Sequence, residues 1–321
     1  FCLSRGLGDV YKRQVIMIIS LTFLYFNSWE RPYEDVAEEN IPNFVEGIKK
    51  LFVDIASTLR IKTFRQHLGM YLFGFGAEWL FTACFTYYIV FCLNQPSTLV
   101  SELNSLSSIL QLISTAIFIG IVAKKGFAKP FIAALSVVIG AILCFFGIFV
   151  FHIAHITVLV FGVMVIFGLG TGGVYYIPWT AYTFMADVDE VVTNRRREGV
   201  YAGAMTMAGK LMRASVVFIL GQVLAAFGFV SGASTQPQSA VNAIAGVLLV
   251  GVGGLAIIGI VFSCRMKLNH KTHKIVIDEL DRVHAGGRKE DVSEETRSVI
   301  EKLTGISYDK CFGNNNIGYK E

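Results

Sequence analysis

The hydrophobic positions of this chain fall in long blocks, not in an alternation or a narrow stripe. Six blocks are long enough to cross a bilayer, roughly His67–Leu93, Leu106–Ala123, Pro130–Phe151, Ile156–Phe184, Tyr201–Phe229 and Val241–Cys264. A spanning helix needs about 20 mostly apolar residues, because in hydrocarbon its backbone groups must satisfy one another. A shorter run, Val15–Asn27, falls short of a full span. Between Val45 and Leu59 the pattern changes: Ile48, Leu51, Phe52, Ile55 and Leu59 share one helical face. That spacing predicts an amphipathic helix at the membrane surface, with lipid as its partner. Beyond Cys264 the chain is polar. Lys274–His284 and Ser293–Leu303 read as helices, and the Asn-rich end as disordered.

This pattern divides the chain into five parts. Residues 1–14 break the apolar pattern, and their GLGDVYKRQ string resembles a leader recurrent on reading frames assembled from environmental sequence. They are expected to be non-native, and their GxG is too slight for a nucleotide loop. Residues 15–27 are expected to be a truncated membrane helix, and 28–66 a cytoplasmic central loop with the amphipathic helix. Residues 67–264 form a six-helix bundle and 265–321 a cytoplasmic tail. The fold class is an all-α membrane protein.

Composition agrees: 54% of residues are hydrophobic and 16% charged, against about 25% charged in soluble domains. The net charge of +4 is too weak to point to nucleic acid. Its distribution is more informative. Lys124, Lys125 and Lys129 share one loop, Arg195, Arg196 and Arg197 another, and Arg265, Lys267, Lys271 and Lys274 follow the last span. The alternate loops, Asn94–Ser105, His152–His155 and Ser231–Ala240, hold no Lys or Arg. The positive-inside bias therefore puts the tail in the cytoplasm.

Charge inside the spans is costly and so points to function. Lys210 lies roughly 15 Å along the fifth span. A mid-membrane cation costs about 2.5–3.5 kcal/mol on insertion scales, so it should face protein or water. Glu78, at comparable depth in the first span, is its expected ion-pair partner, with a structural salt bridge as the alternative. Arg213, one turn beyond Lys210, serves either the same site or packing.

The fourth span holds GLGTGG, in which Gly168, Gly170, Gly172 and Gly173 allow close helix approach. Pro178 then removes a backbone donor and is expected to bend the helix. Tyr175, Tyr176 and Trp179 are candidate cavity residues, since aromatic faces stack on sugar rings; interfacial packing is the alternative. At the end of this span Asp187, Asp189 and Glu190 oppose Arg195, Arg196, Arg197 and Glu198 across a short turn, with Gly199 at the next helix start. Such acids and arginines can form a bidentate network that holds one face closed in one state and breaks in another. His152 and His155 lack ligand spacing, and His270, His273 and His284 read as surface groups of the tail. The cysteines show no CxxC pair, and GxSxG, HExxH and GKS/T motifs are absent, so neither an enzyme nor a metal centre is expected.

The stretch DVDEVVTNRRREGVYAGAMTMAGK, Asp187–Lys210, resembles the most distinctive segment of the glycoside–pentoside–hexuronide cation symporters, melibiose-permease-like members of the major facilitator superfamily. The resemblance extends upstream through YYIPWTAYTFMAD and downstream to about Gly232, and FRQHLGMYLFGFGAEWLFTACFTYYIVF, Phe64–Phe91, is similar to that family's seventh helix. It implies the carboxyl-terminal six-helix bundle of a twelve-helix transporter plus part of helix six. Lys210 then matches a helix-eleven lysine near the cation and sugar region, and Asp187–Gly199 the inner loop motif. Tyr175 and Trp179 fall in the helix-ten region bordering the cavity. Arg213 departs from the neutral or polar residue expected there, and the family's cation-binding carboxylates belong to helices outside this chain.

The function expected is that of a fragment of a secondary transporter in the bacterial cytoplasmic membrane. It would move a sugar or glycoside-like molecule with Na⁺ or H⁺, need no other cofactor, and have the missing amino-terminal six-helix half as its partner. The alternative is a membrane-embedded scaffold without transport.

Overall fold

The computed structural model describes residues 2–28, 43–151 and 156–313. The proline-containing loop, His152, His155 and the Asn-rich end lie outside the described residues. Among the described residues every regular element is helical.

Helix α1, Cys2–Asn27, belongs to a separate unit that ends at Gly47. It runs through residues 2–14 without a break. The boundary drawn at Gln14 is therefore not a structural one. Helical hydrogen bonding ignores the change from polar to apolar side chains, and no proline interrupts residues 2–14. Helix α2, Phe44–Thr58, matches the stripe read between Val45 and Leu59, and Ile48, Leu51 and Phe52 on that stripe are exposed.

Among the described residues six helical spans have membrane length and composition. The first is α3, Lys62–Tyr87, prolonged by a π-helical turn to Cys92. Next come α4, Thr98–Lys125, and α5, Ala128–Phe151. Helix α6, Ile156–Tyr182, leads within two residues into α7, Met185–Thr193. Helix α8 spans Glu198–Ala226. The last span is α9, Gln238–Gly246, joined through a π-helical stretch at Val247–Val252 to α10, Gly253–Arg265. Most of these helices outrun the apolar blocks, because polar ends such as Lys62 and Glu198 can stay helical outside hydrocarbon.

Helix α6 packs between α4 and α5, while α3 packs on α10, α8 and one side of α6. The α6 glycines explain how it fits. A Cβ at Gly168 would come within 2.9 Å of Leu110, and one at Gly172 within 2.7 Å of the Thr115 backbone nitrogen, both on α4. A Cβ at Gly170 or Gly173 would meet Val138 or Ala134 of α5, at 2.8 and 2.6 Å. Gly168 and Gly172 thus serve α4 and Gly170 serves α5, while Gly173 serves both, since its Cβ would also come within 2.8 Å of Phe118 on α4. Gly199 does not act this way: nothing lies within 4 Å of its would-be Cβ. It sits in the exposed first turn of α8, before that helix meets the bundle, so its assignment to helix packing is corrected. Helix α6 continues through Pro178, which is buried and leaves the Val174 carbonyl without its helical donor.

The tail is folded through residue 313. Asn269 caps α11, His270–His284, with a reciprocal capping box, and Ser293 caps α12, Glu294–Thr304. Val276, Leu280, Ile300, Leu303 and Tyr308 form its apolar interior. The buried Glu279 carboxylate accepts two bonds from Arg282 and one from the Tyr308 hydroxyl. Hydrogen bonds tie this folded tail to the bundle: Thr63 Oγ1 donates to the Leu303 carbonyl at 2.6 Å, and the Phe312 N–H to the Val191 carbonyl at 2.7 Å. His270 and His273 are therefore not free surface groups. His270 Nε2 lies 3.2 Å from the Val122 carbonyl, and His273 Nε2 lies 2.7 Å from Asp187.

Candidate functional site

Helical spacing gathers the first cluster. Tyr71, Phe75, Glu78 and Trp79 lie at i, i+4, i+7 and i+8 along one flank of α3. Tyr175, Trp179 and Tyr182 repeat that spacing on α6. The two stripes interlock, with ring centroids 5.7 Å apart for Tyr71 and Trp179 and 4.9 Å for Phe75 and Tyr175. Trp79 packs against both Tyr71 and Phe75. Trp179 nonetheless keeps 40% of its surface exposed, leaving an aromatic face open. Tyr176 sits 100° round the helix from Tyr175 and joins none of these ring contacts.

Helix α8 supplies the charge. A Cβ at Gly209 would overlap the Tyr71 hydroxyl, so α8 meets α3 through bare backbone at this point. Arg213, at i+4 from Gly209, shares that face. Tyr175 stands within electrostatic reach of both Arg213 and Glu78, so one residue each from α3, α6 and α8 converges at this level. The expected pairing of Glu78 with Lys210 is corrected. Lys210 is exposed and, among the described residues, makes no ion pair with Glu78. The depth assigned to it is compatible with pairing, but its azimuth is not: one residue past Gly209 is a 100° turn away from the face that meets α3.

The second cluster is the acid–arginine turn between α7 and α8. Arg197 donates to both oxygens of Asp189, Nε to Oδ2 at 2.8 Å and Nη2 to Oδ1 at 2.7 Å, and Nη1 donates to Ser57 Oγ at 2.8 Å. Asp189 is fully buried, and burying a charge this way requires such bidentate satisfaction. Burial alone would lower the Arg197 pKa, but its bonds to Asp189 outweigh that and hold the guanidinium firmly charged. Arg196 bonds Glu198 at 2.6 Å and approaches Asp187 at 3.4 Å and Glu190 at 3.8 Å. Arg195 contributes its backbone N–H to Thr193 Oγ1. The tail adds His273 on Asp187 and, more distantly, His284 at 3.9 Å from Glu190.

Sequence reasoning passed over Tyr71, Phe75, Trp79, Ser57 and His273. The i, i+4, i+8 spacing of aromatic residues in MYLFGFGAEW carried the signal for the first three. Nothing local marks Ser57, which meets Arg197 only through the fold. For His273, the amphipathic pattern of Val276, Leu280 and Val283 was the only hint that the tail packs.

Comparison with known proteins bears on both clusters. The MFS/sugar transport protein family matches residues 14–270, and that range contains both clusters apart from the tail residues of the second. An uncharacterized symporter of Synechocystis sp. is 34% identical over 70 residues, which are 22% of this chain and 13% of that protein. The aligned stretch is thus a small part of the relative's length.

Proposed function

Because the chain belongs to the MFS/sugar transport protein family, a multi-pass membrane family, we propose that it forms one six-helix half of a cation-coupled secondary transporter for a sugar or glycoside. The observation that carries this reading is the convergence of Glu78, Tyr175 and Arg213 beside an exposed tryptophan face. Aromatic rings offer a sugar its apolar C–H faces, and a mid-membrane acid and guanidinium offer its hydroxyls strong, directional partners. A scaffold has no use for charge at this depth.

In this proposal Tyr175 and Trp179 contact the solute, and Glu78 and Arg213 each bring charge to it beside Tyr175. Lys210 looks to water or to a carboxylate of an amino-terminal six-helix partner, since among the described residues no ion pair is formed with it. Na⁺ or H⁺ drives the movement, which proceeds by alternating access. The Asp187–Glu198 turn serves as the inner closure, in a bacterial cytoplasmic membrane with the tail cytoplasmic. The symporter name of the Synechocystis relative supports coupled transport.

The test is uptake of a panel of radiolabelled α- and β-glycosides into proteoliposomes holding the full transporter, with and without Na⁺ or a pH gradient. Ion-stimulated accumulation is expected, lost in the Arg213→Gln variant. Absence of uptake for every solute under every gradient would remove the proposal.

A further inference from the structure

Six cations gather where the α4–α5 loop meets the link from α10 to α11. Lys124 and Lys125 end α4, Lys129 lies in the first turn of α5, Arg265 ends α10, Lys267 precedes α11 and Lys271 opens it. Packing fixes this corner. Ser263 Oγ donates to the Ala128 carbonyl at 3.1 Å, and the His270 ring stands 5.2 Å from that of Phe127. In the link, Met266 and Leu268 are buried while Lys267 between them is exposed, so the alternation of an extended segment turns the charge outward. All six cations are exposed, and among the described residues none of their side chains makes an ion pair or a hydrogen bond. The acids around them do not neutralise the corner. Asp187 is engaged by His273 and Arg196, and the first acid along α11, Asp278, lies two turns beyond Lys271.

We infer that this corner binds the headgroup of an anionic phospholipid. The cations at the helix ends continue exposed apolar stripes of the same helices. On α5, Lys129 is followed at four-residue steps by Ala133 and Val137, and on α10, Arg265 is preceded at the same steps by Val261 and Ile257; all are exposed. The two helices pack on one another. A phospholipid has the same order along its length, an anion and then hydrocarbon, so acyl chains lying on the stripes carry the phosphate to the cations. That order favours a lipid over an acidic protein or a soluble phosphate, neither of which has a use for the apolar stripes. Basic groups at the headgroup level each add to the attraction, and Arg265 matches paired phosphate oxygens while the lysines supply point charges on flexible stems. Lys271 lies just outside the stretch matched by the family, and the other five lie within it. A bound lipid would therefore fasten the start of the folded tail to the α4–α5 loop. The inference rests on membrane insertion and not on transport, so a failure to carry any solute leaves it standing.

The experiment is a thermal melt of the whole chain in neutral detergent with increasing dioctanoyl phosphatidylglycerol. Dioctanoyl phosphatidylcholine and sn-glycerol 3-phosphate are titrated alongside. Phosphatidylglycerol is expected to raise the midpoint by about 3 °C or more, and most of that rise should vanish between about 0.05 M and about 0.5 M salt. In Lys125→Gln/Lys267→Gln the lipid concentration that gives half the rise should increase about tenfold or more. Lys49→Gln/Lys302→Gln removes the same charge at exposed positions elsewhere and should respond as the unaltered chain does. The midpoint in detergent alone shows whether each variant folds. Should Lys125→Gln/Lys267→Gln fail to, Lys267→Gln takes its place, with about a threefold increase expected. No rise with phosphatidylglycerol, an equal rise with phosphatidylcholine or glycerol phosphate, or an unchanged response in Lys125→Gln/Lys267→Gln overturns the inference.

Discussion

The Tyr71 hydroxyl rests against the bare backbone of Gly209, so the contact between α3 and α8 depends on the absence of a side chain. That contact sets the register of the Tyr71–Trp179 stack on one side and the azimuth of Arg213 on the other. Gly209→Ala should force Tyr71 aside, at about 1–3 kcal/mol, a usual cost of overpacking. Glycoside binding by the full transporter should weaken correspondingly. Combining it with Tyr71→Phe removes the clashing oxygen and should restore part of the loss, which a double-mutant cycle on binding reads directly.

The Asp189–Arg197 pair is buried and doubly bonded. Asp189→Asn strips one charge from a buried pair and should destabilise the chain by about 3–5 kcal/mol, seen as a lower thermal midpoint. Asp189→Asn/Arg197→Gln leaves no uncompensated charge and should lose less than Asp189→Asn alone.

Two glycines of α6 give a controlled comparison. Gly172→Ala places a methyl 2.7 Å from the Thr115 backbone nitrogen and should force α4 away from α6, costing about 1–3 kcal/mol. Gly162→Ala meets nothing within 4 Å and should be neutral or slightly stabilising. Parallel melting curves in detergent separate the two.

The tail should detach in acid. Burial pushes the Glu279 carboxyl up, but its bonds from Arg282 and Tyr308 prevail and hold it below the ordinary 4.5. The folded tail thus binds fewer protons than the unfolded one. The stability this carboxylate contributes is complete well above pH 4.5 and is lost as the pH falls through the lower, folded value. Limited proteolysis should show residues 270–313 protected at neutral pH and progressively cut below about pH 4.5. Glu279→Gln should be less protected at neutral pH and should respond less to acid.

The spans were legible because bilayer thickness imposes a length on apolar runs, and the pairing of acids with arginines because sequence neighbours across a short turn stay neighbours in space. Lys210 shows where that reasoning ends. Its depth follows from counting residues, but its direction depends on which face of α8 meets α3, and Gly209 decides that by what it lacks. Arg213, four residues past Gly209, stays nearer that face, and Tyr175 stands within electrostatic reach of both Arg213 and Glu78. Ser57 and His273 lie far along the chain from their partners, and only the folded tail and the α2–α3 turn bring them to the α7–α8 acids and arginines.

The central claim is that the Tyr175–Trp179 stripe of α6, not its neighbouring face, meets the solute. In a cysteine-free version of the full transporter, Trp179→Cys and Tyr176→Cys can each be labelled with a hydrophilic thiol reagent, with and without a saturating transported glycoside. The account predicts that Trp179→Cys reacts readily and is shielded by the glycoside, while labelling of Tyr176→Cys is unchanged by it. Shielding at Tyr176→Cys with none at Trp179→Cys would contradict it.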